Sequence, residues 1–476
     1  MQSDGFDAVI GNPPYIRIQG MKEWAPVEVE FYKQRYQAAS RGNYDIYVVF
    51  VERGLELLNP TGLLGFILPH KFFNAQYGEP LRTLLTKGQH LSQIVHFGSQ
   101  QVFATATTYT CLLFLGKDRR RSCRFVQVQN LNEWIATGKG ERGELLAEEI
   151  NGIAWSIQLG PAAKVMKRLA KTSLKIKDVA HLFVGLQTDA DEVFILDEVK
   201  RQGEKVLCAS RATGKNHWLE ADHLKPFLKG SLDIRRYGFS DAAKRLIFPY
   251  RNTARESQLI PSGDYAKQYP LTWEYLLENR PRLVRRAKGT LGPAWYGYVY
   301  RKNHLRFEQP KILAPSIALG ACFAWDEAGS YYFVGSGGGG GGGYGIVLTP
   351  ECCWSPLYLL GVLNSALTTF WLQRTSTVFR GGYLALNRQY IEEIPLVAPT
   401  DHSSNRRSDA YRLQDMVEQM LAFHAQPLGR TAHEQSSQSR QIEVIDREID
   451  QLVYKLYGLT DDEIRIVEEA TAVIAK

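Results

Sequence analysis

The chain has 476 residues, enough for two or three hydrophobic cores, because a single core stops growing well below this length. Hydrophobic residues make up 44% and charged residues 22%, an ordinary globular composition that excludes wholesale disorder. The longest apolar runs, such as 46–51 and 63–68, are too short to cross a bilayer, and no signal segment leads the chain. We therefore expect a multidomain protein of the cytoplasm with no membrane partner.

The cysteines predict neither a metal site nor disulfide bonds. The six of them show no C-x-x-C spacing and no nearby histidine pattern, so we expect reduced and mostly buried thiols. The net charge of +7 is modest but unevenly distributed. Between Pro281 and Ile312 there are eight basic residues against one acidic residue, Glu308. A local excess of this kind indicates a polyanionic partner.

The first region, residues 1–118, alternates strand and helix patterns in the manner of an open α/β sheet. The apolar run from Phe6 to Ile10 predicts a buried strand that ends at Gly11. Further along, the patterns predict helices over 43–58 and 79–85 and strands over 63–69, 94–97 and 108–115. The charge run KDRRRSCR, residues 117–124, predicts the end of this region.

The remaining chain divides by composition. We expect a linker or insertion over 119–173, a mixed α+β domain over 174–400 and a helical segment over 401–476. The glycine run 335–345 predicts a mobile surface loop without packed structure. In the last segment Ile442, Ile445, Ile449, Leu452 and Leu456 recur three or four residues apart, which is typical of the packing face of a helix.

The tetrapeptide Asn12-Pro13-Pro14-Tyr15, directly after the first predicted strand, indicates chemistry on an amino group. The side-chain oxygen of Asn12 and the carbonyl of Pro13 can each accept one amino hydrogen, which directs the nitrogen lone pair towards an incoming methyl group. The prolines stiffen the turn and remove competing donors. Tyr15 offers an aromatic face to a flat base, and such stacking is worth about 1 to 3 kcal/mol. This matches the cost of flipping a base out of a duplex. A plain proline turn would leave Asn12 and Tyr15 unexplained, and the reaction requires no metal.

The basic stretch interleaves cations with aromatic residues, a pattern suited to phosphate and base contacts. The candidate DNA-binding cations are Arg282, Arg285, Arg286, Lys288, Arg301, Lys302 and Arg306. The interleaved aromatic residues are Trp295, Tyr296, Tyr298, Tyr300 and Phe307. Arg374, Arg380 and Arg388 are weaker candidates, with Gly381 and Gly382 allowing close backbone approach. The alternative is a solvated basic face without a ligand. The triplet Glu198-Val199-Lys200 is interpreted as solvated surface charge and not as a nuclease site.

Together these motifs resemble the adenine-specific DNA methyltransferases of the Taq-like, gamma-ordered group, particularly type IIG restriction-modification enzymes. FDAVIGNPPYIR, GNYDIYVVFVERGLELLNPTGLLGFILPHKFF, YGEPLRTLL and HFGSQQVFATATTYTCLLFL follow in that order. LLGVLNSALTTFW, FRGGYLALNRQYIEEIPL and VYKLYGLTDDEI resemble the C-terminal specificity domain.

The resemblance implies a fold and a set of site residues. The fold would be α/β: a partial Rossmann-like methyltransferase sheet, then an α+β target-recognition domain and C-terminal helices. Asn12, Pro13, Pro14 and Tyr15 would hold and stack the flipped adenine. Phe103 would be the second stacking aromatic, although a core phenylalanine explains it equally well. Double-stranded DNA would be the partner.

The resemblance also predicts an absence. In such enzymes the glycine-containing loop and the acidic residues that bind S-adenosylmethionine precede the Asn-Pro-Pro-Tyr strand, whereas eleven residues precede Asn12 in this sequence. We expect either a truncated product or one half of a split enzyme; in the second case a separate polypeptide would carry the cofactor-binding and nuclease domains. The rival hypothesis is a specificity subunit that binds DNA without catalysis. A protein-glutamine methyltransferase is disfavoured because such enzymes lack a large basic domain after the catalytic sheet.

Overall fold

The computed structural model describes residues 5–103, 108–147, 150, 155, 157, 159–240, 243–335, 341–399, 404–426 and 431–472. The chain divides into two compact units. The first unit contains residues 1–168 and 373–383, and the second contains 169–372 and 384–476. Within the described ranges, no helix is both long enough and apolar enough to cross a membrane.

The first unit is built on a sheet of six strands flanked by short helices. The strands are β1 Phe6–Gly11, β2 Leu58–Pro69, β3 Leu91–His96, β4 Thr110–Gly116, β5 Ser122–Gln127 and β6 Glu141–Leu146. The helices are α1 Ile18–Trp24, α2 Pro26–Arg35, α3 Tyr47–Leu57, α4 Glu79–Lys87, α5 Leu131–Thr137 and α6 Gly160–Ala170, whose end lies in the second unit. The predicted alternation of helices and strands is therefore confirmed.

The sheet has the order β1-β2-β4-β3-β5-β6. β1 runs parallel to β2 and β3 parallel to β5, whereas β4 and β6 run antiparallel to their neighbours. Consequently β1, β2, β3 and β5 all end at one edge of the sheet, where β4 and β6 begin. The segments after Gly11, Pro69 and His96 therefore emerge at the same edge, which we call the carboxyl edge.

The first sheet extends beyond the boundary that the charge run predicted. β5 lies inside the segment assigned to a linker, yet its residues 124–127 pair with residues 93–96 of β3. Cys123, Phe125 and Val126 are buried, and this apolar alternation is what the sheet requires. The charged residues before them mark only a turn.

The second unit contains the remaining strands in two main sheets and several two-stranded pairs. Its strands are β7 Leu174–Lys175, β8 Ala180–Val184, β9 Ile195–Gln202, β10 Lys205–Ala209, β11 Asn216–Glu220, β12 Leu224–Leu228, β13 Ile234–Arg235, β14 Gly238–Phe239, β15 Lys244–Ile247, β16 Tyr250–Asn252, β17 Ser257–Leu259, β18 Lys311–Pro315, β19 Ile317–Ala318, β20 Ala324–Asp326, β21 Tyr332–Phe333, β22 Gly343–Leu348, β23 Leu384–Ala385 and β24 Pro395–Leu396. One sheet has the order β11-β10-β9-β15-β12-β21 and the other β20-β18-β22-β8.

Helices surround these sheets and form the end of the chain. They are α7 Ile176–Val179, α8 Asp191–Phe194, α9 Gly230–Asp233, α10 Ser262–Gln268, α11 Pro270–Glu278, α12 Arg280–Leu283, α13 Pro356–Asn364, α14 Ala366–Thr375, α15 Arg388–Ile391, α16 Ser404–Ala425, α17 Ala432–Leu456 and α18 Asp461–Thr471. Of the predicted packing face on α17, Ile445, Ile449, Leu452 and Leu456 are buried, while Ile442 is half-buried. The α/β fold with an α+β second unit and C-terminal helices is confirmed.

The glycine run contains a packed element, contrary to the predicted loop. Gly343 and Gly345 lie in β22, and a Cβ on Gly345 would clash with the ring of Phe183. Glycine is therefore needed there for close packing and not for flexibility. Residues 336–340 of the run lie outside the described residues.

Candidate active site and DNA-facing surface

The Asn12–Tyr15 turn lies at the carboxyl edge of the first sheet, directly after β1. Gly11 pairs with Phe66 of β2, and Pro13 is buried while Asn12 and Pro14 are exposed. Among the described residues, neither the Asn12 side chain nor the Pro13 carbonyl takes part in a hydrogen bond. Both acceptors that the sequence singled out are thus unused within the described structure, and Asn12 is exposed to solvent.

Tyr15 is anchored at both ends of its side chain. Its hydroxyl donates to the carbonyl of Ile67 on β2 over 3.1 Å, and its ring meets that of Tyr47 edge to face at 6.5 Å. Burial, with a smaller contribution from Cys111, raises the pKa of Tyr15 to about 12. The phenol therefore stays neutral at physiological pH, and the ring has a fixed position beside Asn12.

The residues after the turn are held by a segment that the sequence analysis treated only as the start of a helix. Ile46 N–H donates to Ile16 O over 2.8 Å, and Ile18 N–H donates to Tyr44 O over 2.9 Å. The hydroxyl of Tyr47, whose ring supports Tyr15, lies 2.9 Å from that of Tyr77. The NYD letters of residues 43–45 gave no sign of this pairing, because it depends on contacts distant in sequence.

Two histidines form a further feature of the carboxyl edge that sequence reasoning missed. The rings of His70 and His96 lie 4.4 Å apart, and His96 Nδ1 is 3.0 Å from Gln127 Oε1. His70 Nδ1 is buried and has no hydrogen-bond partner in the described structure. Burial, reinforced by His96, lowers the pKa of His70 to about 3, and burial lowers the pKa of His96 as well. His70 directly follows β2 and His96 ends β3, so their position at strand ends was the one signal in the sequence that could have indicated this pair.

Phe103 lies in the connection between β3 and β4, which emerges at the same edge as the Asn12–Tyr15 turn. Its side chain is half-buried, so it is not a fully packed core residue. The following residues 104–107 lie outside the described residues. The role of Phe103 as a second stacking ring remains a prediction.

The basic stretch of the second unit separates into exposed and buried members. Arg285, Lys288, Arg301 and Lys302 are exposed, and Arg306 is half-buried. Arg282 is half exposed and pairs with Glu192 over 2.7 Å. The aromatic residues, apart from the half-exposed Tyr300, belong to the core: they are Trp295, Tyr296, Tyr298 and Phe307.

Arg286 is the main correction to the predicted DNA contacts. It is 7% exposed and donates to four backbone carbonyls of its own unit. A guanidinium whose donors are used in this way cannot also grip a phosphate, because that would leave buried carbonyls unpaired. Lys311, counted in the basic excess, is likewise fully buried and paired with Asp326.

The weaker candidates do not form one group. Arg380 is exposed in a short turn with Gly381 and Gly382, both of which have positive φ, and it belongs to the first unit. Arg388 belongs to the second unit and pairs with Glu392 over 2.6 Å. Glu198, interpreted as solvated, is instead largely buried in a pair with Arg245.

Comparisons with known proteins connect the Asn12–Tyr15 turn to one family. The model of the Eco57I restriction-modification methylase family matches residues 1–103. The matched segment contains the Asn12–Tyr15 turn and is similar to that family. RM.Eco57I, a type II restriction enzyme and methyltransferase of Escherichia coli, is 27% identical over 98% of this chain and 48% of its own length. M.PaeR7I, a type II methyltransferase of Pseudomonas aeruginosa, is 25% identical over 82% of this chain and 64% of its own length.

The fold of the chain is also found in a solved structure. The type IIL restriction-modification enzyme MmeI, solved in complex with DNA, superposes with a TM-score of 0.61 at 11% identity. The match covers 98% of this chain and 57% of MmeI. The chain therefore spans about half the length of RM.Eco57I and of MmeI.

The methyltransferases to which this chain is similar imply S-adenosylmethionine, so the carboxyl edge is the place to look for residues that could hold it. A nucleoside is commonly held by an acidic residue just after a strand that ends beside a glycine loop. At the carboxyl edge, β1 is followed by Asn12, β2 by His70, β3 by Phe97 and β5 by Val128. None of these is acidic, so we assign no cofactor-binding residue in the described part of the chain.

Proposed function

We propose that this chain is the base-holding and DNA-recognising part of an adenine-specific DNA methyltransferase of a restriction-modification or related phage-defence system. The observation that carries the proposal is the exposed Asn12 beside the free carbonyl of Pro13 and the anchored ring of Tyr15. An adenine flipped out of the duplex would donate its two amino hydrogens to those oxygens and stack on the ring. No proton-transfer residue is required to hold the amino group.

The methyl donor would be bound by a segment that completes the first sheet. β1 lies at an edge of that sheet, and its Phe6 and Ile10 are 59% and 85% exposed. An apolar edge strand with unpaired backbone groups is a template for another strand. We propose that a cofactor-binding segment pairs with β1, whether it comes from a longer chain or from a separate polypeptide that also carries a nuclease.

Asn12→Ala tests the catalytic part of this proposal. With the cofactor-binding segment supplied, we expect loss of adenine methylation by at least about a hundredfold, as for removal of one transition-state hydrogen bond. DNA binding should be nearly unchanged, because the side chain acts on one amino group. Tyr15→Ala should have a milder effect. Methylation would be measured by transfer of a labelled methyl group to DNA.

The same experiment separates the alternative function, a specificity subunit that binds DNA without catalysis. In that case, DNA binding would persist but no partner would produce methylation that depends on Asn12. Half-buried Asn59, which donates to Asp7 at the other end of β1, supplies a control variant, Asn59→Ala, expected to retain methylation. Full activity of Asn12→Ala would remove the catalytic role.

A further inference from the structure

Arg286 joins three separate backbone segments of the second unit. Its guanidinium donates to Thr188 O over 2.6 Å, to Trp295 O over 2.6 Å and to Gly297 O over 2.8 Å. Its Nε donates to Leu283 O over 3.2 Å, and the group lies 5.2 Å from the ring centroid of Phe194. The planar fork of arginine suits this multiple bonding, and lysine cannot reproduce it.

The residues directly after Arg286 adopt an unusual backbone conformation. Ala287, Lys288 and Gly289 have φ values of 47°, 56° and 79°. A left-handed conformation is unfavourable for a residue other than glycine, because its Cβ approaches the following carbonyl oxygen, so surrounding contacts must hold the turn. Arg285 and Lys288 are exposed on either side of the buried Arg286. Arg286 thus holds a turn that presents two exposed cations, Arg285 and Lys288.

A second exposed basic pair is held to the same segment of chain. Gln187 forms an antiparallel bridge with Tyr300, which precedes Arg301 and Lys302. The next residue, Thr188, supplies the carbonyl that Arg286 bonds. The strip Gln187–Thr188 therefore ties the Arg285–Gly289 turn to the Tyr300–Lys302 segment. We call Arg285, Lys288, Arg301 and Lys302 the basic surface.

We infer that Arg286 is a positioning residue for duplex DNA binding: it does not contact DNA but sets the spacing of the basic surface. The inference rests on the proposed function, because it presumes that this unit binds DNA. The partner is the phosphate backbone of a duplex, whose regularly spaced charges require cations in fixed positions. Arg282, which is paired with Glu192, lies outside this surface.

A double-mutant cycle on the full chain tests this role, with fluorescent random-sequence duplex DNA titrated at several salt concentrations. Lys288→Ala should flatten the slope of log affinity against log salt by about 0.9, which is the loss of one phosphate contact. Arg286→Lys keeps the charge but removes the fork. If Arg286 positions the turn, this variant should flatten the slope by a similar amount, and adding Lys288→Ala should change it little further.

The alternatives give different results. If Arg286 itself contacts phosphate, Arg286→Lys should keep the wild-type slope and Lys288→Ala should act in full in both backgrounds. Full additivity would likewise overturn the inference. Lys139→Ala in the first unit, where Lys139 pairs with exposed Glu133, is the matched control and should leave the slope unchanged. Affinities would be compared at temperatures where each variant is folded by circular dichroism.

A second variant keeps the test decisive if Arg286→Lys does not fold. Arg286→Gln can still donate to one of the buried carbonyls but has neither the charge nor the fork. Adding Lys288→Ala to it should change the salt slope little further; a further flattening of about 0.9 would overturn the inference. Failure of the wild-type chain to bind duplex DNA at all would instead overturn the proposed DNA binding.

Discussion

The Asn12–Tyr15 turn and the Arg285–Gly289 turn present polar groups to solvent on different foundations. The first turn is held by its prolines, by the end of β1 and by the anchored ring of Tyr15. Its two acceptors make no hydrogen bonds within the described structure. In the second, the foundation is a buried arginine within the charged sequence itself. In the second turn, the exposed Arg285 and the structural Arg286 therefore look alike in sequence, although only the fold shows which of them is buried.

The largest expected difference between the two turns is in stability. Arg286→Ala should lower the free energy of unfolding of the second unit by about 3 kcal/mol or more, because four carbonyls lose their donor in a buried place. Asn12→Ala should change the stability of the first unit by less than about 0.5 kcal/mol, because its side chain has no partner. Urea denaturation of both variants measures this, and equal losses would contradict the comparison.

Much of the first turn was predictable from sequence, because its chemistry depends on adjacent residues. Asn12, Pro13 and Tyr15 follow a strand whose apolar pattern is local, and the structure places them at a sheet edge. The supports of Tyr15 were not predictable, since Tyr47 lies on α3 and Ile67 on β2, both distant from Tyr15 in sequence. Periodicity indicates which face is buried but not which hydroxyl meets which carbonyl.

The basic stretch of the second unit was predicted to be exposed, but the fold buries some of its cations for a physical reason. Composition counts Arg286 and Lys311 like any other cations, whereas the fold uses them as buried donors to carbonyls and to Asp326. The aromatic residues between the cations resemble stacking groups but fill the core, as Trp295 and Tyr298 do. An arginine can satisfy backbone carbonyls as well as phosphates, and only the fold decides between them.

A smaller effect is expected from the hydroxyl network that supports Tyr15. Tyr47→Phe removes the hydroxyl that meets Tyr77 but keeps the ring against which Tyr15 packs. We expect a loss of about 1 kcal/mol, the net worth of one buried hydrogen bond. Tyr296→Phe, which removes a buried hydroxyl bonded to Ile260 O in the second unit, is the matched control.

These two tyrosine variants sharpen the comparison because each removes one buried hydrogen bond, one in the first unit and one in the second, so their stability losses should be similar. Tyr47→Phe should leave the salt dependence of DNA binding unchanged, since it concerns only the first turn. A flattened salt slope in this variant would show that the two turns do not act independently. Equilibrium denaturation and DNA titration on the same preparations would measure both effects.

The effect most specific to the carboxyl edge concerns pH. The pKa of His70 falls to about 3 in the folded chain because burial disfavours the imidazolium, whereas an unfolded histidine titrates near 6.5. Above pH 6.5 the ring is neutral in both states and contributes nothing to the pH dependence. Below pH 6.5 the unfolded chain binds a proton that the folded chain does not, so stability falls as pH falls. The loss continues until the pH approaches the folded pKa, at up to about 1.4 kcal/mol per pH unit.

His70→Gln removes the group whose proton is bound by the unfolded chain alone between pH 7 and pH 5. The urea midpoint of this variant should therefore fall less steeply as the pH is lowered than that of the wild type. Exposed His433 supplies the control variant His433→Gln, which should retain the wild-type steepness. A His70→Gln profile parallel to the wild type would mean that His70 is protonated alike in the folded and unfolded states. In that case the ring pair with His96 at the carboxyl edge would be open to water, whereas Arg286 in the second unit would remain buried.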